Sequence, residues 1–321
     1  MMWCTLLDGD RQLEVVASDT AEVVIFLPVR WGPTPSVHGR SAPSLRSGLR
    51  GVCCLLPVAV YDRETVFPYH DENKTVRTPI VTFVLIALNV GAWLLVQGAG
   101  SFLPLATSVC NLGLIPAELT MSRPPGTSFP LGEGLECLTD PGAQYANVLT
   151  SMFLHGSWMH LIGNMWFLWL FGNNVEDSMT RPRYIAFYLL AGLGAALAQV
   201  VANPASLAPM VGASGAISGV MGAYLVLFPR VRVYTLIPLG FFSQTIALPA
   251  WAMLIYWMAL QLIGGFGSVL SEESGGVAFW AHVGGFGAGF LLVKMFERRD
   301  RAAQHAAHHW RPHQRSGSQW R

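Results

Sequence analysis

The sequence predicts an all-α fold, a polytopic membrane helical bundle of about six transmembrane helices, and three observations carry that prediction. Of 321 residues, 52% are hydrophobic and 12% charged, whereas an ordinary soluble chain is about a quarter charged. Apolar stretches near the roughly 20-residue length that crosses a bilayer recur along the chain. Lys and Arg gather in alternate loops, as they do on the cytoplasmic side of a membrane. A net charge of +1 without a basic face gives no argument for nucleic acid and leaves the lipid bilayer as the obvious partner.

The spans are placed at about Thr78 to Gln97, Trp158 to Gly172, Tyr184 to Ala202, Ala213 to Phe228, Ile246 to Ile263 and Gly276 to Phe296. Pro229 stops the fourth where a charged loop begins. Lys74 and Arg77 precede the first span, Arg181 and Arg183 separate the second from the third, Arg230 and Arg232 follow the fourth, and Lys294, Arg298 and Arg299 end the sixth. The opposite loops carry Glu133, Glu136 and Asp140, then no charge near Pro204 to Pro209, then Glu272 and Glu273, with Arg123 the one basic exception. This alternation predicts a multi-pass plasma-membrane protein with both termini cytoplasmic.

Three domains follow. Residues 1–65 are mixed polar and basic, with an apolar run at Val52 to Val60 too short to span, and read as a disordered extension or a mis-called start. Residues 66–298 hold the membrane domain. Residues 299–321 form a solvated basic tail, in which His305, His308, His309 and His313 have no metal-site spacing. Of five cysteines, Cys4, Cys53 and Cys54 fall in the extension and the Cys53–Cys54 pair lacks a redox or metal spacing. Cys110 and Cys137 share the long first outer loop, and both the paired and the free state stay open. In that loop Leu112, Leu114 and Ile115 either dip into the membrane interface or pack on the bundle.

Polar residues inside spans are costly, so each marks a site or a helix contact. The second span holds His155, His160 and Asn164 in FLHGSWMHLIGN; the fourth opens with Gly212-Ala213-Ser214-Gly215-Ala216; the sixth holds Ala281-His282-Val283-Gly284-Gly285. These three helices run inward from the outer side, and His160, Ser214 and His282 fall within about two turns of that end, roughly 10 Å deep at the rise of an α-helix. His160 and Asn164, four apart, share a face. Gly215 and Gly219 repeat at four-residue spacing, as do Ala281, Gly285 and Gly289, the pattern of closely packed membrane helices. If those two faces meet, His282 reaches the Ser214 hydroxyl. His155 reads as a loop-edge or structural residue, and Gln199 and Gln261 as makers of interhelical hydrogen bonds.

The segments GASGAISG, HGSWMHLIGN and AHVGGFGAG together resemble the signature segments of prokaryotic rhomboid intramembrane serine proteases, over about residues 66 to 296. The resemblance implies that Ser214 is the nucleophile and His282 its general base. It implies an oxyanion hole of His160, Asn164 and the Ser214 backbone N–H, and a structural role for Glu176. The chain departs from that family's common pattern at Ser218, where tyrosine is frequent, at Thr180, where glycine is common, and near Ala146 and Asn147, where an aromatic-basic pair is often found.

The residue types fit the chemistry: a hydroxyl needs a base to attack a peptide carbonyl, and imidazole takes that proton and passes it to the leaving amine. No third acid stands where a triad would need one, so helix packing is expected to hold the imidazole. The expected substrates are single-span membrane proteins, cut near the outer boundary where small residues let a helix unwind; the oligomeric state is left open. No metal and no cofactor is expected, since HExxH is absent and the predicted spans contain no carboxylate. A transporter would need a polar path across the bilayer, and Val220 to Phe228 offers little that is polar. An inactive client-binding rhomboid-like protein typically lacks the Ser or the His, and both are present.

Overall fold

The computed structural model describes residues 2–8, 11–17, 23–25, 67–132, 135–239, 242–271, 278–301 and 303–304. It divides the chain into two units, Met1–Tyr61 and Asp62–Arg321. In the first, β1 (Met2–Asp8), β2 (Arg11–Ala17) and β3 (Val23–Ile25) form an antiparallel meander. The remainder of the predicted extension, Cys53 and Cys54 included, lies outside the described residues, as do Glu133, Glu272, Glu273 and the four histidines of the tail.

The second unit runs β4 (Phe67–Asp71), α1 (Ile80–Leu95), α2 (Phe102–Leu112), α3 (Pro116–Leu119), β5 (Ser128–Gly132), β6 (Leu135–Leu138), α4 (Asn147–Thr150), α5 (Trp158–Phe167), α6 (Asn173–Asp177), α7 (Arg181–Ala202), α8 (Ser214–Leu227), β7 (Arg232–Leu239), β8 (Phe242–Pro249), α9 (Ala250–Ser271) and α10 (Phe279–Phe296). A π-helical stretch, Leu168–Gly172, joins α5 to α6 in one helical run. Each of the six predicted spans contains a helix. Among the described residues, Arg181–Ala202, Ala250–Gly267 and Phe279–Phe296 are long and apolar enough to cross a membrane, whereas α1 and α8 are shorter apolar helices. Leu95, Leu197, Val201, Ile263, Leu291 and Met295 are all exposed. Large apolar side chains displayed this way along several helices make a surface that a soluble protein rarely shows and lipid covers.

The fifth span begins later than predicted. Ile246 to Pro249 belong to β8, which pairs antiparallel with β7, and β7 pairs in turn with β4. Pro249 explains the boundary, because the residue before a proline is driven out of the helical region, so α9 starts at Ala250. An apolar run alone does not separate strand from helix.

The long outer loop packs on the bundle. Leu114 and Ile115 are buried, Leu114 exchanges backbone hydrogen bonds with Met210, and a disulfide joins Cys110 of α2 to Cys137 of β6. Two helices receive their N-terminal caps from other segments. Glu176 accepts from Val81 N at 2.9 Å and from Thr82 N and Oγ1 at 2.8 Å, at the start of α1, and Gln199 Oε1 accepts from Ala281 N at 3.2 Å, at the start of α10. Neither helix has a side-chain cap of its own, and orphan N–H groups left in lipid are costly.

The helices α7, α8 and α10 meet through small residues. A Cβ on Gly285 would overlap the carbonyl oxygen of Gly215, one on Gly289 would overlap that of Gly219, and one on Gly219 would overlap Ala191 of α7. The two glycine rows noted in the sequence therefore face each other backbone to backbone, which sets the separation of α8 and α10.

Candidate active site

Ser214 is the first residue of α8, His282 the fourth of α10 and His160 the third of α5, so all three sit within one turn of a helix start. Ser157 begins α5 as its N-cap, its Oγ accepting from His160 N at 3.1 Å. Ala213 precedes α8 with no side-chain cap, leaving the Ser214 N–H among the four orphan donors of a helix N-terminus, where the helix dipole favours negative charge.

His282 Nε2 lies 2.8 Å from Ser214 Oγ. Both side chains are partly buried and border a cavity of about 570 Å³ that also touches His160, Asn164, Gly212 and Trp257. His160 Nδ1 accepts from Gly156 N at 3.4 Å, which leaves its proton on Nε2. That Nε2 lies against Gly212, where an added Cβ would stand 2.8 Å from it and 3.5 Å from Ser214 Oγ. Asn164 is 7% exposed, and its Nδ2 has no hydrogen-bond partner among the described residues. His160, Asn164 and the first residue of α8 thus border one cavity.

His155 is fully buried. Its backbone N donates to Gln97 Oε1 at 2.8 Å and its carbonyl accepts from Gln97 Nε2 at 2.7 Å, which ties the end of the first span to the entry of α5, while its ring packs on that of His160. Gln199 and Gln261 both bond across helices, Gln199 to Ala281 N and Gln261 Oε1 to His282 Nδ1 at 2.7 Å. The hydroxyl of Ser218 donates to Ser214 O at 2.6 Å, so α8 offers no ring to His282; Trp257 of α9 does, its ring centroid 5.7 Å from the imidazole.

Sequence reasoning gave Gly212 no role of its own and missed Trp257. Gly212 has φ +128°, a region an L side chain rarely enters, and residue pattern alone does not display a backbone angle. Trp257 has no signal of its own in an aromatic-rich span. The bond at Gln261 also supplies what the sequence reading left to packing alone, a polar group holding the imidazole.

Fold and site together define a polytopic helical membrane protein with a hydroxyl–imidazole pair in an open cavity. Residues 142–299 of the chain match the model of the Rhomboid domain, a shorter stretch than residues 66 to 296, over which the chain resembles that family. It is 32% identical over 150 residues to Rhomboid-like protease 5 of Toxoplasma gondii, covering 45% of this chain and 15% of that protein. It is 31% identical over 156 residues to RHOMBOID-like protein 5 of Arabidopsis thaliana, covering 48% and 45%. It is 26% identical over 172 residues to the mitochondrial Rhomboid protein 1 of Saccharomyces cerevisiae, covering 51% and 46%. The chain thus spans less than half the length of these relatives. All three are eukaryotic, so the comparisons do not single out the prokaryotic type. The match to the Rhomboid domain supports a function of the intramembrane-protease type.

Proposed function

We propose that the protein is an intramembrane serine endopeptidase that cleaves single-span membrane proteins near the outer boundary of the bilayer, using Ser214 as nucleophile and His282 as general base. The observation that carries this reading is the 2.8 Å separation of Ser214 Oγ and His282 Nε2 at an open cavity bordered by His160 and Asn164. Ser214 Oγ attacks the peptide carbonyl carbon while its proton passes to His282 Nε2. The carbonyl oxygen takes the negative charge and accepts from His160 Nε2–H, Asn164 Nδ2–H and Ser214 N–H. The imidazolium then protonates the departing amine, leaving an ester on Ser214. A water entering the cavity gives a proton to His282 and attacks that ester, and the imidazolium returns the proton to Ser214 Oγ as the carboxylic acid product leaves. Substrate reaches the hydroxyl only where its own helix opens, because an intact helix keeps its carbonyls bonded.

The charge alternation of the loops supports a plasma-membrane protein with cytoplasmic termini and the cavity facing out, and the Cys110–Cys137 disulfide suits an oxidising outer side. The test is cleavage of a model transmembrane substrate in detergent or liposomes, with and without a chelator. Wild type is expected to cut with the chelator present, and Ser214→Ala and His282→Ala to abolish cutting. Cleavage surviving Ser214→Ala sinks the assignment of the nucleophile. A chain that binds the substrate but never cuts it is the inactive, client-binding rhomboid-like protein instead.

A further inference from the structure

We propose that Gln261 is the positioning residue of the Ser214–His282 pair, a neutral third member whose amide oxygen fixes the tautomer and plane of the imidazole. The proposal rests on the reading of that pair as nucleophile and base.

Both ring nitrogens of His282 are engaged, and by different helices: Nε2 meets Ser214 Oγ of α8 at 2.8 Å, and Nδ1 meets Gln261 Oε1 of α9 at 2.7 Å. A neutral imidazole has one donor and one acceptor nitrogen, and an amide oxygen only accepts. The proton therefore sits on Nδ1, and the Nε2 lone pair is aimed at the Ser214 hydroxyl. The other tautomer would present N–H to the hydroxyl and could not receive its proton.

Packing holds Gln261 at this distance. Trp257, one turn earlier on the same face of α9, lies against the rings of His282 and Phe286 at centroid distances of 5.7 and 6.4 Å. One turn later, Gly264 fits so closely on Phe279 that a Cβ there would run into its ring, and Phe266 meets Trp280 edge to face at 5.4 Å. The face 257–261–264 of α9 is thus docked along the first turns of α10, with the amide at its centre. Among the described residues no carboxylate borders the cavity, and a charged acid here would carry a large desolvation cost. An amide supplies the acceptor without the charge.

The test uses the full chain in detergent with a model transmembrane substrate, a serine-reactive fluorophosphonate probe and ¹⁵N-histidine labelling. Gln261→Leu is expected to lower kcat by about 10- to 10³-fold, and probe labelling in parallel, with KM within about twofold, since orienting groups act on the reacting ring and not on binding. Gln261→Glu, which keeps an acceptor in the same place, is expected to recover activity to within about tenfold of wild type. In the wild-type chain the ¹⁵N shifts of His282 should show the proton on Nδ1. Wild-type kcat in Gln261→Leu, or a wild-type His282 protonated on Nε2, overturns the proposal. A wild-type chain that does not cleave, or cleavage surviving Ser214→Ala, removes the protease reading instead. The ¹⁵N measurement needs no turnover and no variant, so it still decides the role of Gln261 if Gln261→Leu fails to fold.

Discussion

A single missing methyl group sets how near His160 comes to Ser214. At φ +128°, with the imidazole of His160 where a Cβ would project, Gly212 lets the chain pass between the two helix starts without displacing either side chain. The neighbouring Asn164 has a different task. Its Nδ2 is buried and unbonded within the described protein, a state that normally costs about 1–3 kcal/mol and that the oxyanion of the proposed mechanism would relieve. Asn164→Ala is therefore expected to reduce kcat by about 10²- to 10³-fold while leaving KM nearly unchanged. Steady-state cleavage kinetics check this, and a rise in KM with kcat intact would make Asn164 a binding residue. That His160, Asn164, Ser214 and His282 border one cavity was legible in the sequence because each is a polar residue set in an apolar run at matching depth. Gly212 was not, since its requirement is a backbone angle, and the partner of Gln261 was not, since the sequence shows a buried amide without showing what it faces.

Among the helices, α8 and α10 are held by contact of backbone on backbone. Gly289 opposes Gly219 with no room for a side chain, whereas Gly287, half a turn away, has nothing within 4 Å of where its Cβ would be. Gly289→Val should push α10 away from α8, lower thermal stability by about 1–3 kcal/mol as overpacking does, and abolish probe labelling of Ser214. Gly287→Val, on the same helix, should leave both unchanged. Thermal unfolding in detergent with labelling at one probe concentration tests the pair, and equal effects at the two positions would count against the seam. This seam was readable because spacing of small residues is written in the sequence itself. The β7–β8 hairpin was not, because its apolar residues match a span in composition and only Pro249 marks where strand gives way to helix.

For the molecule as a whole, one buried acid couples stability to pH. Asp71, 5% exposed at the end of β4, accepts from Tyr224 Oη at 2.5 Å and Asn174 Nδ2 at 2.9 Å, joining the β4–β7–β8 sheet to α8 and α6. Burial raises its carboxyl to about 7, with the bond from Tyr224 opposing the shift. Between the ordinary carboxylate range near 4 and that raised value, the folded chain holds a proton that the unfolded chain has released, so stability falls as pH rises through the window. Asp71→Asn stays neutral and keeps an acceptor oxygen. Its advantage in Tm over wild type should grow from little near pH 4.5 to a maximum above pH 7, and a difference that does not vary with pH would refute this account. Membrane character was legible from composition and loop charge, but this sheet and its acid were not, because they join segments about 150 residues apart through contacts that leave no local pattern.

The placement of the imidazole has a consequence for biosynthesis. His282 lies on the last long helix among the described residues, and that helix starts with an N–H that a glutamine from α7 must satisfy. A ribosome-bound fragment holding every earlier span has the hydroxyl but no base beside it. On the proposed mechanism, the nascent protein would therefore stay inactive until α10 is inserted and docked.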